Sequence, residues 1–168
     1  TLDTKGNSLY AVSVNGASVS LASPLRVTQY LRPYSGTFTS NNHDIRTRYW
    51  MTEVTQNATV TINLGTTSLT IDYQYYSQDR NYTNSRGDLI LNNASSTIIM
   101  AGPYWYDYSE SYWPRVIIDN TLSNYSYHTF STHGNFGLIK SVTPSEVRFN
   151  DSQPRGGSNT PFYINHLE

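Results

Sequence analysis

Thr59-Val60-Thr61-Ile62-Asn63-Leu64-Gly65-Thr66-Thr67-Ser68-Leu69-Thr70-Ile71-Asp72-Tyr73-Gln74-Tyr75 alternates apolar and polar residues from end to end. Val60, Ile62 and Leu64 share one side of an extended chain, and Thr59, Thr61 and Asn63 the other. Gly65 and Thr66 supply a turn. Leu69, Ile71, Tyr73 and Tyr75 then resume the period of two, opposite Ser68, Thr70, Asp72 and Gln74. The pattern reads as an antiparallel hairpin with a single apolar face.

Outward from this run the same signal recurs. Tyr10, Val12 and Val14 precede Asn15-Gly16, a type I′ hairpin signal, and Val19 and Leu21 follow it. Further strands are expected at Leu25–Leu31, Arg46–Val54, Asp88–Leu91, Thr97–Ala101, Tyr112–Ile118, Tyr125–Phe130, Gly137–Val142, Glu146–Phe149 and Pro161–Ile164. Turn residues separate them at 33–36, Asn41-Asn42, Asn92-Asn93, Gly134-Asn135 and Gly156-Gly157. Thr143–Val147, containing Pro144, is the best site for a helical turn, and 79–88 and 151–159 read as loops. No internal repeat or linker stands out. The expectation is an all-β chain, a galectin-like or jelly-roll-like sandwich of two antiparallel sheets.

With 168 residues the chain is long enough for one domain, residues 1–168, and too short for two. A hydrophobic fraction of 37% and a mean hydropathy of -0.52 are low. Aromatic residues at 14% and a net charge of -1 nevertheless argue for a folded domain with a Ser-, Thr- and Asn-rich surface. Near-neutral charge and a pI of about 6.4 argue against a nucleic-acid partner, since phosphate binding needs clustered cations. No apolar run approaches a membrane span and no signal peptide opens the chain. The opening Thr1 reads as a fragment cut from something longer. Cysteine is absent, which removes disulfides and thiolate chemistry and suggests assembly in a reducing compartment. Sequons at Asn57, Asn81, Asn93, Asn124 and Asn150 are what a chain rich in Asn, Ser and Thr produces by chance.

The segment Pro103-Tyr-Trp-Tyr-Asp-Tyr-Ser-Glu-Ser-Tyr-Trp-Pro-Arg115 concentrates rings among short polar residues. An aromatic ring covers the C–H face of a pyranose while neighbouring polar groups bond its hydroxyls, so the tract suits a saccharide. It equally suits a buried hairpin. With Ser109-Glu110-Ser111 at the tip, Tyr108 and Tyr112 face each other across the strands. Trp105, Tyr108 and Tyr112 are the candidate stacking platforms.

Signs of catalysis are few. His43, His128, His133 and His166 show no metal-ligand spacing, and no nucleophile elbow, P-loop or His-Glu-x-x-His occurs. Asp107 and Glu110 stand beside the aromatic tract as a conceivable glycosidase pair, but their closeness in sequence fits hydroxyl acceptors or solvated turn residues better. No enzyme activity, cofactor or metal is expected.

Several segments, read in order, resemble the trypsin-released head of the rotavirus outer-capsid spike. They are Thr1-Leu2-Asp3, Pro24 through Pro33–Gly36, Asn41-Asn42-His43-Asp44 leading to Arg48-Tyr49-Trp50, Thr59-Val60-Thr61-Ile62, Ser77-Gln78-Asp79, Phe149, Pro154-Arg155 and Tyr163-Ile164-Asn165. The middle, from about Tyr82 to Asp119, departs from that pattern, which implies a divergent group. The resemblance implies the galectin-like sandwich and a lectin that attaches virions to host glycans, sialylated or of blood-group type. It implies a place on the virion surface after synthesis in the cytoplasm. The expected partners are host cell-surface glycans, the rest of the spike and neutralising antibodies, and the isolated domain is expected to be a monomer. Arg48, with Arg46 as alternative, matches the arginine that contacts sialic acid in some strains. A guanidinium suits a carboxylate or vicinal hydroxyls. Trp50 beside it reads as core. The family's cleft loop matches Phe130-Ser131-Thr132-His133, flanked by Tyr127 and His128.

Two rival readings use the same residues. A viral fibre knob that grips a protein would use the aromatic tract as a hot spot, and binding that survives deglycosylation of target cells would favour it. A carbohydrate-binding module or glycosidase of microbial origin would release reducing sugar, and would lose that activity on replacement of Asp107 or Glu110.

Overall fold

The computed structural model describes residues 1–54, 57–78, 87–93, 95–109, 111–132, 135–142, 146–150 and 164–168. The strands are β1 (Ser8–Leu9), β2 (Val12–Val14), β3 (Ala17–Ser20), β4 (Leu25–Pro33), β5 (Gly36–Thr39), β6 (Ile45–Glu53), β7 (Thr59–Asn63) and β8 (Ser68–Gln78). They continue with β9 (Asp88–Asn92), β10 (Thr97–Met100), β11 (Tyr104–Asp107), β12 (Tyr112–Ile118), β13 (Tyr127–Thr132), β14 (Asn135–Ser141), β15 (Glu146–Asn150) and β16 (Ile164–Leu167). A 3-10 turn at Asn120–Leu122 is the one helical element among the described residues.

Most strands fall close to where hydrophobic alternation places them, and Tyr112–Ile118 has the expected bounds; β1 and β5 match no expected strand, and of the one expected at Pro161–Ile164 only Ile164, the first residue of β16, is among the described residues. Their pairing is another matter. β7 and β8 are not partners: β7 lies between β5 and β9, and β8 lies between β6 and the β10–β11 pair. All these pairings are parallel, as are those of β4 with β6, β12 with β14 and β13 with β15. β2 pairs with β4 and β3 with β5, so Asn15-Gly16 does not close a hairpin. β12 pairs with β10 and β14, and β11 with β8 and β13, so these two strands do not form the expected hairpin. The expected antiparallel sandwich is therefore wrong.

Each turn carries the chain sideways rather than back, and the chain meets itself again one coil later, running the same way. The result is a parallel β-solenoid. The remainder of each coil serves as the long connection that parallel neighbours require. Period-two alternation cannot tell these cases apart, because it reports which face is buried and not the direction of the neighbour. Unequal coil lengths also hide the repeat from the sequence. Leu25, Ile45, Leu69, Ile98, Val116 and Ile139 occupy one register position in successive coils. The expected helical turn at Thr143–Val147 fails at its end, where Glu146 and Val147 begin β15; its first residues lie outside the described residues, as do 79–86 of the loop expected at 79–88, whose last residue Asp88 begins β9, and the loop expected at 151–159.

β3, β5, β7 and β9 form one face; the first parts of β4, β6 and β8, with β10, β12, β14 and β16, form the second; the later parts of β4, β6 and β8, with β11, β13 and β15, form the third. Inward side chains build the core in columns. On the third face Leu31, Trp50, Tyr75, Trp105, Phe130 and Phe149 lie in register. The Tyr75 and Trp105 rings stack with centroids 4.0 Å apart, and Phe130 follows Trp105 at 5.7 Å. Coil spacing of about 4.8 Å is close to ring-stacking distance, so identical register positions favour aromatic columns.

Candidate functional site

The second and third faces meet at an irregular corner. Between paired positions β4 inserts Thr28 and Gln29, β6 only Arg48, and β8 Asp72 and Tyr73. Such unequal insertions break the ladder and re-aim side chains. Arg48 is turned out to solvent, and Tyr73, which alternation assigns to the core, is only half-buried. In the next coil Ala101-Gly102-Pro103 spans the corner. A Cβ on Gly102 would lie 2.2 Å from the Cα of Tyr73, so only glycine allows this approach.

The coil after that makes a longer excursion, Asp119–Ser126, between β12 and β13. The Asp119 side chain caps the 3-10 turn by accepting from the Thr121 backbone N–H at 3.0 Å. Ser123 donates to the Ala101 carbonyl. His128 anchors the return: its Nδ1 donates to the Gly102 carbonyl at 2.9 Å, and its Nε2 meets the Asn120 side chain. Burial pushes the His128 pKa down, against the opposing effect of the Gly102 bond. The excursion thereby lays Tyr125 against Tyr73, with centroids 6.1 Å apart.

The corner holds a shallow pocket of about 340 Å³ lined by Arg26, Thr28, Arg48, Asp72, Tyr73 and Tyr125, among others. Arg46 stands beside it with Nε 3.0 Å from both Asp72 oxygens, so its charge is engaged. The Arg48 guanidinium instead lies over Tyr49 and Tyr73, 5.4 and 5.6 Å from their centroids. Arg26 and Arg48 leave the pocket a positive balance over Asp72.

From the pocket a row of tyrosines runs along the third face. Tyr49 meets Tyr73 at 5.2 Å, Tyr73 meets Tyr104 at 5.5 Å, and Tyr104 meets Tyr127 at 6.4 Å, all edge to face. Tyr106 stacks beside Tyr104, and the Arg148 guanidinium lies over Tyr127. The Tyr104 and Tyr127 hydroxyls are 3.3 Å apart. That bond, then the charge Tyr127 would carry, pushes the Tyr104 pKa up to about 12.

The residues expected to bind sugar are divided by this geometry. Arg48 and Tyr127 are at the site, and Arg46 is beside it. Trp105, expected as a platform, is 0% exposed and belongs to the core column; Phe130 at 1% follows it. His128, Ser131 and Thr132 are buried as well, so the 130–132 stretch lines no cleft. In a solenoid it is an interior rung, where a sandwich would have made it a rim. Tyr108 is half-buried against Tyr76, and Tyr112 is exposed at the start of β12, away from the row. His133 and Glu110 lie outside the described residues.

Asp107 is neither solvated nor surface-facing. It is 0% exposed and accepts from Trp113 Nε1 at 2.9 Å and from the Ser109 backbone N–H at 3.1 Å. With Thr52, Ser77 and Thr132 in its register column it forms a polar seam in the core. Its charge adds to burial in raising the pKa of Tyr75 well above the usual phenol range. The residues missed from the sequence are Arg26, Tyr49, Tyr73, Tyr104 and Tyr125. A usable signal was present for two of them: all three tryptophans follow a tyrosine, at 49–50, 104–105 and 112–113. Since Trp goes inward, the tyrosine before it must go outward.

Comparison of the chain with protein-family models, with curated proteins and with solved structures finds no match.

Proposed function

We propose that this chain is a glycan-binding domain that holds its ligand, without turning it over, at the corner between the second and third faces. The tyrosine row joined to the Arg48 pocket carries the reading. Rings with polar tips, held side by side at a solvent-facing corner, match the alternating apolar and hydroxyl surface of a sugar. Arg26 and Arg48 supply donors for a carboxylate or for vicinal hydroxyls. Burial of Asp107 removes it from any acid–base role at this surface. The attachment setting on a virion rests on the segment resemblance, which implied a sandwich this chain does not form; the glycan reading stands on the surface alone.

Single-site sugar binding of about millimolar strength, roughly -4 kcal/mol, is expected, so useful attachment requires several copies engaged together. The test is a glycan array displaying sialylated, blood-group and unbranched glycans, read with the purified chain and its Arg48→Ala and Tyr73→Ala variants. Each variant is expected to lose about tenfold in binding with an unchanged thermal melt. Binding to cells that persists after deglycosylation would replace this reading with a protein receptor.

A further inference from the structure

Resting on that reading, we infer that the site takes an internal stretch of a linear, extended glycan, laid parallel to the solenoid axis across about four coils. The row is built by register. Tyr49, Gln74, Tyr104, Thr129 and Arg148 occupy one outward position in five successive coils. Tyr73 and Tyr127 fill the gaps beside it, and the ring contacts pass from coil to coil without a break. Parallel strands stand about 4.8 Å apart, so the row from Tyr49 to Tyr127 covers roughly 15 Å.

A β-linked pyranose chain advances by a similar step, about one coil per sugar. Along the column, rings alternate with the amide of Gln74 and the hydroxyl of Thr129. An extended chain in register thus meets a stacking surface and a hydrogen-bonding group in turn. A pocket that recognised only a terminal sugar would have no use for this repetition. Beyond the pocket the next two coils continue the surface, first with Tyr104 and then with Tyr127.

The experiment is calorimetric titration with cello-, chito- and hyaluronan-derived oligosaccharides of one to six sugars. In at least one series affinity is expected to rise about fivefold per added sugar and level off near four. Tyr127→Ala and Tyr49→Ala, at opposite ends of the row, should each move that plateau down by about one sugar with the melt unchanged. A structural role for these rings would weaken all lengths alike. Arg48-dependent binding confined to terminal sialylated or branched glycans, with no length dependence in any series, overturns this inference and leaves the glycan reading standing. Absence of binding to every oligosaccharide and every glycan on the array overturns both.

Discussion

Trp50 and Tyr49 are neighbours on one strand, as are Trp105 and Tyr104, yet the two columns they start have opposite fates. The inner one, Trp50–Tyr75–Trp105–Phe130, is sealed from water, and its closest rings stack nearly parallel, 15° apart for Tyr75 and Trp105. The outer one, Tyr49–Tyr73–Tyr104–Tyr127, is half-buried, and its rings meet edge to face at 62–74°. The outer rings remain half-open to water and carry guanidinium groups, Arg48 over Tyr49 and Tyr73 and Arg148 over Tyr127, whereas the inner rings are closed off from solvent. Equal aromatic content therefore means cohesion on one side of the strand and a surface able to bind on the other.

Replacing members of the two columns should separate these roles most sharply. Trp105→Ala is expected to cost about 3–5 kcal/mol, enough to threaten the fold, as urea melts would show. Tyr104→Ala, one residue away, loses half-buried ring contacts and should cost only about 1–2 kcal/mol, clearly less than Trp105→Ala, while losing glycan binding. A large stability loss at Tyr104 would erase the distinction.

Next in size is the polar seam. Asp107→Ala strands the Trp113 indole N–H and the Ser109 backbone N–H in the core, at about 2–4 kcal/mol by the same melts. Glycan affinity of the surviving folded fraction should be unchanged.

Gly102→Ala links the two regions. The added methyl must push the Ala101–Pro103 corner away from Tyr73, costing about 1–3 kcal/mol and weakening the pocket together with the fold. Loss of stability with full retention of binding would show that Tyr73 is not part of the site.

The pH dependence is the mildest effect. The pKa of His128 is lower folded than unfolded, so the unfolded chain takes up the proton first as pH falls. The stability this ring contributes is complete above the unfolded value of about 6.5 and is lost as pH drops toward the folded value. Melts from pH 7.5 to 5 should decline, and His128→Gln should flatten that part of the slope. An unchanged slope in the variant would mean the ring is not the titrating group.

Much of this was legible in the chain. Val60, Ile62 and Leu64, or Leu69 and Ile71, announce strands and their buried face because alternation is a local property of extended backbone. The pairing of tyrosine before tryptophan likewise fixes which ring goes inward. Arg48 was a candidate only through the segment resemblance, with Arg46 as its alternative, and the structure engages Arg46 with Asp72. Tyr73 was not, since its alternation points inward and only the unequal corners of β4, β6 and β8 turn it out. Tyr125 and the buried 130–132 stretch depended on which coil lies above which.

The amino-acid sequence by itself determined that the chain is extended nearly throughout, where its strands lie, and which residues are apolar enough to be enclosed. Tertiary structure alone decided that neighbouring strands run parallel around a solenoid, and hence that rings from distant segments meet in rows. The reason is physical. Side-chain alternation depends on the residue's own backbone, whereas strand direction and register depend on closing long loops so that columns of matching shape fill one core.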